Sequence, residues 1–271
     1  MPLPIQFEVI AARGGYESWA SGKDQYLELK KKVRDYLARY EQAPNSLHER
    51  VGKLPIDCLV TTNYDYAIES SLPAASESYK RELKAGTKYL FESTSCRNGV
   101  DFYHAHGVQD VPSTICIGYE HYLGYVQKMR SHFLNKADED HPSSTEVIDN
   151  LVKGKASDSI TWPDLFFCSD VYIVGLGLGF SEIDLWWLLT LRAAYFSEAE
   201  DIVKASANRI VYYDVFKCDA GDELAREREA KHSAKAIALD GLHVEYAPIA
   251  VRSYSDGYHK VLNEVENTLQ S

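Results

Sequence analysis

Apolar residues change their spacing several times along the chain, and each change marks an expected element. Ile5–Ala12 reads as a short strand. From Lys23 to Gln42 apolar side chains recur at Tyr26, Leu29, Val33, Leu37 and Tyr40, the spacing of one helix face. Pro44 and Asn45 end that pattern, and a second short helix is expected from Ser46, with Ser46 as its cap. Asp57–Thr62 is a β-rich run that stops at Asn63, and Asp65–Leu72 then has helical character. Tyr89–Glu92 and Asp101–Ala105 read as strands around a polar turn at Arg97–Gly99. An aromatic-rich helix is expected over Tyr119–Leu134, a loop over Asn135–Ser144 and a further helix over Thr145–Val152.

The second half alternates more cleanly. Asp170–Gly175 is a continuous apolar run, as in a strand covered on both faces. Ser181–Phe196 follows as a helix that is apolar nearly all round, then strand Arg209–Asp214, charged helix Ala220–Ile237, strand Leu242–Tyr246 and helix Ser253–Leu269. Strands alternating with helices predict an α/β class: a Rossmann-like, doubly wound, mainly parallel sheet. The 271 residues read as one domain with a helical insertion at about 119–161, without internal repeats.

Composition narrows the function more than the fold. With 45% hydrophobic and 25% charged residues, wholesale disorder is not expected. The 29 basic residues are outnumbered by 40 acidic ones, and there is no basic tract, so direct nucleic-acid binding is not expected. Lys30–Lys32 sits in a helical pattern and reads as a solvated face, as does the charged Glu223–Lys231 segment. The five cysteines, Cys58, Cys96, Cys116, Cys168 and Cys218, are too scattered for a disulfide framework or a zinc site. A reducing cytoplasm fits that usage. Met1–Arg13 lacks the pattern of a signal peptide, and Val171–Phe180 is too short to span a bilayer.

Three polar constellations stand at strand ends, where open α/β sheets bind ligands. The first is Val60-Thr61-Thr62-Asn63-Tyr64-Asp65, in which Asn63 and Asp65 either face a crevice or cap the next helix. The second is His104-Ala105-His106-Gly107. His106 beside a glycine suits a proton-transfer role at neutral pH, or equally a hydrogen-bonded core histidine. Alternation places His104 on the same face as His106, in a structural role. The third is Val174–Asp184, where a buried strand runs into Gly175, Gly177 and Gly179 and then a helix. Its glycines allow a ribose or phosphate to approach the backbone. Ser181 and Asp184 either meet ribose hydroxyls or act as a cap and a first-turn acid.

In this order the motifs resemble the sirtuin-like NAD-consuming family, particularly its bacterial antiphage-defence branch. Val60–Asp65 (VTTNYD) is similar to that family's TTNYD motif, and His106–Gly107 to its HG. Ser113–Tyr122 (STICIGYEHY) is similar to the strand and helix start that follow, and Ile173–Asp184 (IVGLGLGFSEID) to its GxG…S/D segment. The similarity spans roughly Ser46–Leu191. It implies one nucleotide pocket and cleavage of NAD at the nicotinamide–ribose bond. Asn63 would orient a water or ribose hydroxyl, and His106 would be the general base. Asp65 would support the asparagine loop, and Thr62 and Asp65 would be among the cofactor-binding residues. Gly175, Gly177, Ser181 and Asp184 would hold the adenosine or ribose side. The bond breaks through an oxocarbenium-like state, so positioning and a poised base matter more than a strong nucleophile.

Two features depart from the family. The four-cysteine zinc module of sirtuin deacylases is missing, so no zinc is expected. The glycine-rich GAG-S loop also lacks a match, because Ala11-Ala12-Arg13-Gly14-Gly15, with Trp19 after it, is the nearest segment. Either an upstream segment is absent, the loop is degenerate, or the site takes something smaller. The expectation is an NAD hydrolase; the alternative is a silent NAD or ADP-ribose sensor or scaffold. Leu185-Trp186-Trp187-Leu188-Leu189 reads as a buried helix or as an interface for a second copy or another protein.

Overall fold

The computed structural model describes residues 2–14, 26–39, 43–73, 78–134, 145–155, 160–204, 207–217 and 225–270, with side chains left undescribed at 202 and 225–231. Gly15, Trp19, Cys218 and the expected loop Asn135–Ser144 therefore lie outside the described residues. The chain divides into two compact units, Met1–Ser131 with Ser159–Trp162, and His132–Asp158 with Pro163–Ser271.

In the first unit, β1 (Cys58–Thr61) pairs in parallel with β4 (Val100–His104), matching Leu59 to Phe102 and Thr61 to His104. Antiparallel β3 (Ser95–Arg97) and the short β2 (Tyr79–Lys80) complete a sheet ordered β1-β4-β3-β2. Asn98 and Gly99, both at positive φ, make the tight turn from β3 to β4. Leu59, Val100 and Phe102 form one buried face of this sheet. They pack with Ile68 of the short helix α4 (Ala67–Ser70) and with Leu72 just beyond it. That packing turns Glu69 of α4 toward the end of β4.

Three expectations change here. Residues expected as a first strand form helix α1 (Leu3–Gly14) instead, because Phe7 and Ala11, one turn apart, bury against Leu29, Ile115 and Ile117. Leu29 belongs to α2 (Leu27–Arg39). Helix α3 (Ser46–Val51) is capped by Asn45 rather than Ser46: the Asn45 side chain accepts from the amides of Leu47 and His48, and His48 Nδ1 accepts from Asn45 N–H. The expected strand at Tyr89–Glu92 has no ladder partner, and Ser95–Arg97 takes that place. Lys30 also leaves the solvated face assigned to it, since it is buried and donates to the Ser113 carbonyl.

The second unit holds a three-stranded, fully parallel sheet in sequence order: β5 (Val171–Val174), β6 (Ile210–Lys217) and β7 (Glu245–Val251). Between β5 and β6 lie α8 (Ile183–Glu198) and the short α9 (Asp201–Lys204). Helix α10 (Ala225–Asp240) separates β6 from β7, and α11 (Tyr254–Gln270) follows β7. Within the range expected as a helical insertion, α5 (Tyr119–Phe133) and α6 (Glu146–Val152) are helical, and α7 (Leu165–Cys168) precedes β5. Helix α8 is buried along one stripe, Leu185, Leu188, Leu189, Ala193 and Phe196, while Trp186 and Trp187 are half-buried. Burial all round therefore does not describe it.

The class is mixed α/β with parallel pairing predominating: three strand pairs are parallel and two antiparallel among the described residues. These strands form two hydrogen-bonded sheets, where the sequence pattern suggested one. None of the described helices is long and apolar enough to cross a membrane.

Candidate functional site

Strand β1 ends at Thr61, and the next residues are fixed one backbone group at a time. Asn63 N–H donates to Thr61 Oγ1 at 3.1 Å, and the Asn63 carbonyl lies 3.0 Å from His104 Nδ1. The Tyr64 carbonyl accepts from Gln109 N–H at 2.9 Å, and the Tyr64 hydroxyl donates to the Cys116 carbonyl at 2.7 Å. Asp65 Oδ1 accepts from Ala67 N–H at 2.9 Å, which starts α4. Thr62 is half-buried, while the Asn63 side chain is exposed. The result is a carboxamide presented outward from a backbone that has little freedom to move.

That carboxamide borders a cleft of about 170 Å³, lined by His48, Thr61, Asn63, Asp65 and the first turn of α4 from Ala67 to Glu69. The volume is below the range of about 300–1,000 Å³ usual for whole-ligand pockets. Asp65 and Glu69 line it, and with Glu69 engaged by His104 it is the Asp65 carboxylate that favours a cationic group or developing positive charge there.

The two histidines of the HAHG segment part company. Strand β4 ends at His104 and residues 105–106 form a turn, so alternation stops before His106. His104 is fully buried between Asn63 and Glu69, with Nε2 2.8 Å from Glu69 Oε1 and the Tyr66 ring edge-on at 5.2 Å. His106 instead packs against Tyr122 at 5.2 Å and Tyr125 at 6.5 Å, only 4% exposed, and is not among the residues lining the cleft. Gly107 is required after it. Its φ is 101°, and a Cβ there would overlap the backbone carbonyl of Thr114. The segment expected as a strand and then a helix start, Ser113–Tyr122, begins in a 3-10 turn at Pro112–Thr114 instead of a strand and enters α5 at Tyr119.

The glycine segment belongs to the second unit. Gly175 turns out of β5 at φ 74°, and Leu178, also at positive φ, is buried beneath the loop. Three carbonyls of the loop are tied down: Tyr212 Oη donates to Leu176 O at 2.8 Å, Lys235 Nζ to Gly177 O at 3.0 Å, and Trp186 Nε1–H to Gly179 O at 3.0 Å. Among the described residues, a Cβ on Gly177 would meet nothing within 4 Å, which leaves its outer side open to an approaching ligand. Phe180 projects at 91% exposure, Ser181 is half-buried, and α8 starts after Glu182 rather than at Ser181. Asp184 is fully buried in the first turn of α8, where an acid complements the helix dipole.

Beneath the loop lies a network that sequence reading missed. Asp214 Oδ2 accepts from Tyr246 Oη at 3.0 Å and lies 2.8 Å from His232 Nδ1 and 3.7 Å from Lys235 Nζ. Burial, reinforced by the Asp214 charge, pushes the Tyr212 phenol well above its ordinary range. Burial and the hydrogen bond to Asp214 do the same to Tyr246. Charged residues at the end of β6 and on α10 were the only sequence signal for this cluster. His48 and Glu69 were likewise missed in the first unit. Glu69 carried a weak signal, lying on the predicted helix that follows the TTNYD motif.

The loop ending β1 thus unites Asn63, Asp65, His48 and Glu69 at one cleft, with His106 packed elsewhere in the same unit and Gly175–Asp184 carried by the other. Among the described residues, no group of three or more His, Cys, Asp or Glu side chains is placed to hold a metal ion. No protein-family model matches the chain, and no curated protein matches it either.

Proposed function

We propose that this chain hydrolyses NAD at the nicotinamide–ribose bond, on a Rossmann-like frame of sirtuin type. Water attacks the anomeric carbon, the bond to the nicotinamide nitrogen breaks, and nicotinamide, ADP-ribose and a proton are released. The observation that carries the reading is the Asn63 carboxamide, exposed at an acidic cleft with its backbone N–H and C=O both anchored. Such a group orients a water or ribose hydroxyl without reorganising. The Asp65 carboxylate at the cleft favours the cationic nicotinamide ring and the oxocarbenium-like state. Asp65 supports that loop, and Thr62 is a proposed ligand contact beside it. The resemblance gives the general base to His106, which has to leave its packing against Tyr122 to reach the attacking water. In the second unit, the open outer side of Gly177 and the tethered carbonyls suit close approach of a sugar, with Gly175 and Ser181 beside it, while Asp184 is buried in the first turn of α8.

One observation favours a second reading, a silent NAD or ADP-ribose sensor or scaffold: His106 is packed against Tyr122 and is not among the residues lining the cleft. Chromatography of NAD incubated with the full chain and with His106→Ala decides between them. The hydrolase reading expects nicotinamide and ADP-ribose in equal amounts, and their loss in the variant. ADP-ribose binding without any product establishes the sensor. A role as an antiphage-defence effector belongs to the hydrolase reading, and it expects phage protection from the wild type but not from Asn63→Ala.

A further inference from the structure

We propose that Glu69 and His104 are positioning residues that clamp the Asn63 backbone and so set the direction of its carboxamide. This rests on the reading of Asn63 as a residue of the cleavage site. His104 bridges two acceptors, the Asn63 carbonyl at 3.0 Å from Nδ1 and the Glu69 carboxylate at 2.8 Å from Nε2. A carbonyl only accepts, so Nδ1 carries a proton and donates it to Asn63. Nε2 then shares the second proton of the pair with Glu69. This fixes the tautomer and the ring plane together.

The pair is deeply placed. The His104 side chain is 0% exposed and that of Glu69 5%, with Ser95 Oγ 3.4 Å from Glu69 Oε1 and Tyr66 edge-on to the imidazole. Burying a polar, hydrogen-bonded pair seldom adds net stability over a packed apolar pair, so its presence is better explained by what it orients. What it orients is the single carbonyl that Asn63 has, while Thr61 Oγ1 holds the N–H. With both peptide groups anchored, the residue beyond β1 keeps only its side-chain torsions. Glu69 also lines the cleft, so one side chain forms part of its wall and anchors the clamp. Without the Nδ1–H donor, the 63–64 peptide turns to find another partner and carries the carboxamide away from its line.

The test uses the full chain and the variants His104→Phe, Glu69→Ala and Glu69→Gln, with circular dichroism confirming that each is folded. With NAD as substrate, His104→Phe and Glu69→Ala are expected to lose about 10–100-fold in kcat, the scale of a small misplacement of a reacting group, with little change in KM. Glu69→Gln is expected to recover most of that loss, because its carboxamide can donate to Nε2 while Nδ1–H still serves Asn63. In an Asn63→Ala background, His104→Phe should cost nothing further. Wild-type kcat in folded His104→Phe and Glu69→Ala overturns the clamp, as does a Glu69→Gln variant no better than Glu69→Ala. Hydrogen exchange separates this from failure of the hydrolase reading. His104→Phe should speed exchange of the Asn63 and Tyr64 amides about tenfold while leaving Phe102 protected, whether or not NAD turns over. Unchanged exchange at those two amides also overturns the proposal.

Discussion

Replacing Gly107 by alanine probes the turn that carries His106. Gly107 sits at φ 101°, and a Cβ there would overlap the Thr114 carbonyl and crowd the Ile115 amide nitrogen. Positive φ alone costs an L-residue about 1–2 kcal/mol. Overlap with backbone, which cannot swing aside as a side-chain tip does, adds about 1–3 kcal/mol. Gly99 provides the control: at φ 80° in the turn between β3 and β4, it has none of the described residues within 4 Å of an added Cβ. Gly99→Ala carries the strain without the overlap, and alanine's smaller unfolded-state entropy offsets part of it, leaving a loss of about 1 kcal/mol. Gly107→Ala should lose about 2–5 kcal/mol, the sum of both effects. At a slope of about 2 kcal/mol per molar urea, the two midpoints differ by roughly 0.5–2 M. Exchange of the β4 amides measured against urea reports this unit alone. Equal losses in the two variants would refute the close approach of Gly107 to Thr114.

Lys235→Met removes the donor to the Gly177 carbonyl and is expected to speed amide exchange over residues 176–179 by about 3–10-fold, leaving β6 protected; no change there would show that Lys235 does not restrain the loop. Tyr212 and Tyr246 have folded pKa values above their unfolded ones, through burial first and Asp214 second. The unfolded chain therefore releases these protons first, so their contribution is intact below about pH 10 and is lost as pH rises beyond it. Ultraviolet titration of phenolate should show a class of tyrosines that ionises only as the fold is lost; all nineteen ionising together in the folded state would contradict this.

The ends of β1, β4 and β5 were legible because each apolar run stops at a polar or glycine residue, which is a local signal. So were the cleft residues Asn63 and Asp65, which follow β1 directly. The first helix was not, because Ile5, Phe7 and Val9 alternate as a strand would, while Phe7 and Ala11 also share a helix face. Only burial against Leu29 and Ile117 decides between the two periods. Asn45 displaced Ser46 as a cap through a reciprocal bond with His48, a choice between adjacent capping residues. The Glu69–His104 pair joins residues 35 apart, and Lys235 reaches Gly177 across 58 residues. Neither has a local sequence pattern, since each depends on which helix face meets which strand end. Alternation misplaced His106 for a simpler reason: the strand ends at His104, and beyond it a turn sets side-chain direction.

The central claim is tested most directly by the rate of nicotinamide release at saturating NAD for the wild type and for Asn63→Ala, with ADP-ribose titration confirming that the variant still binds. The account predicts measurable release by the wild type and a loss of at least about 100-fold in kcat for Asn63→Ala, the scale of removing one oriented polar group from a transition state. Release at the same rate by both proteins, or none by the wild type, would contradict it.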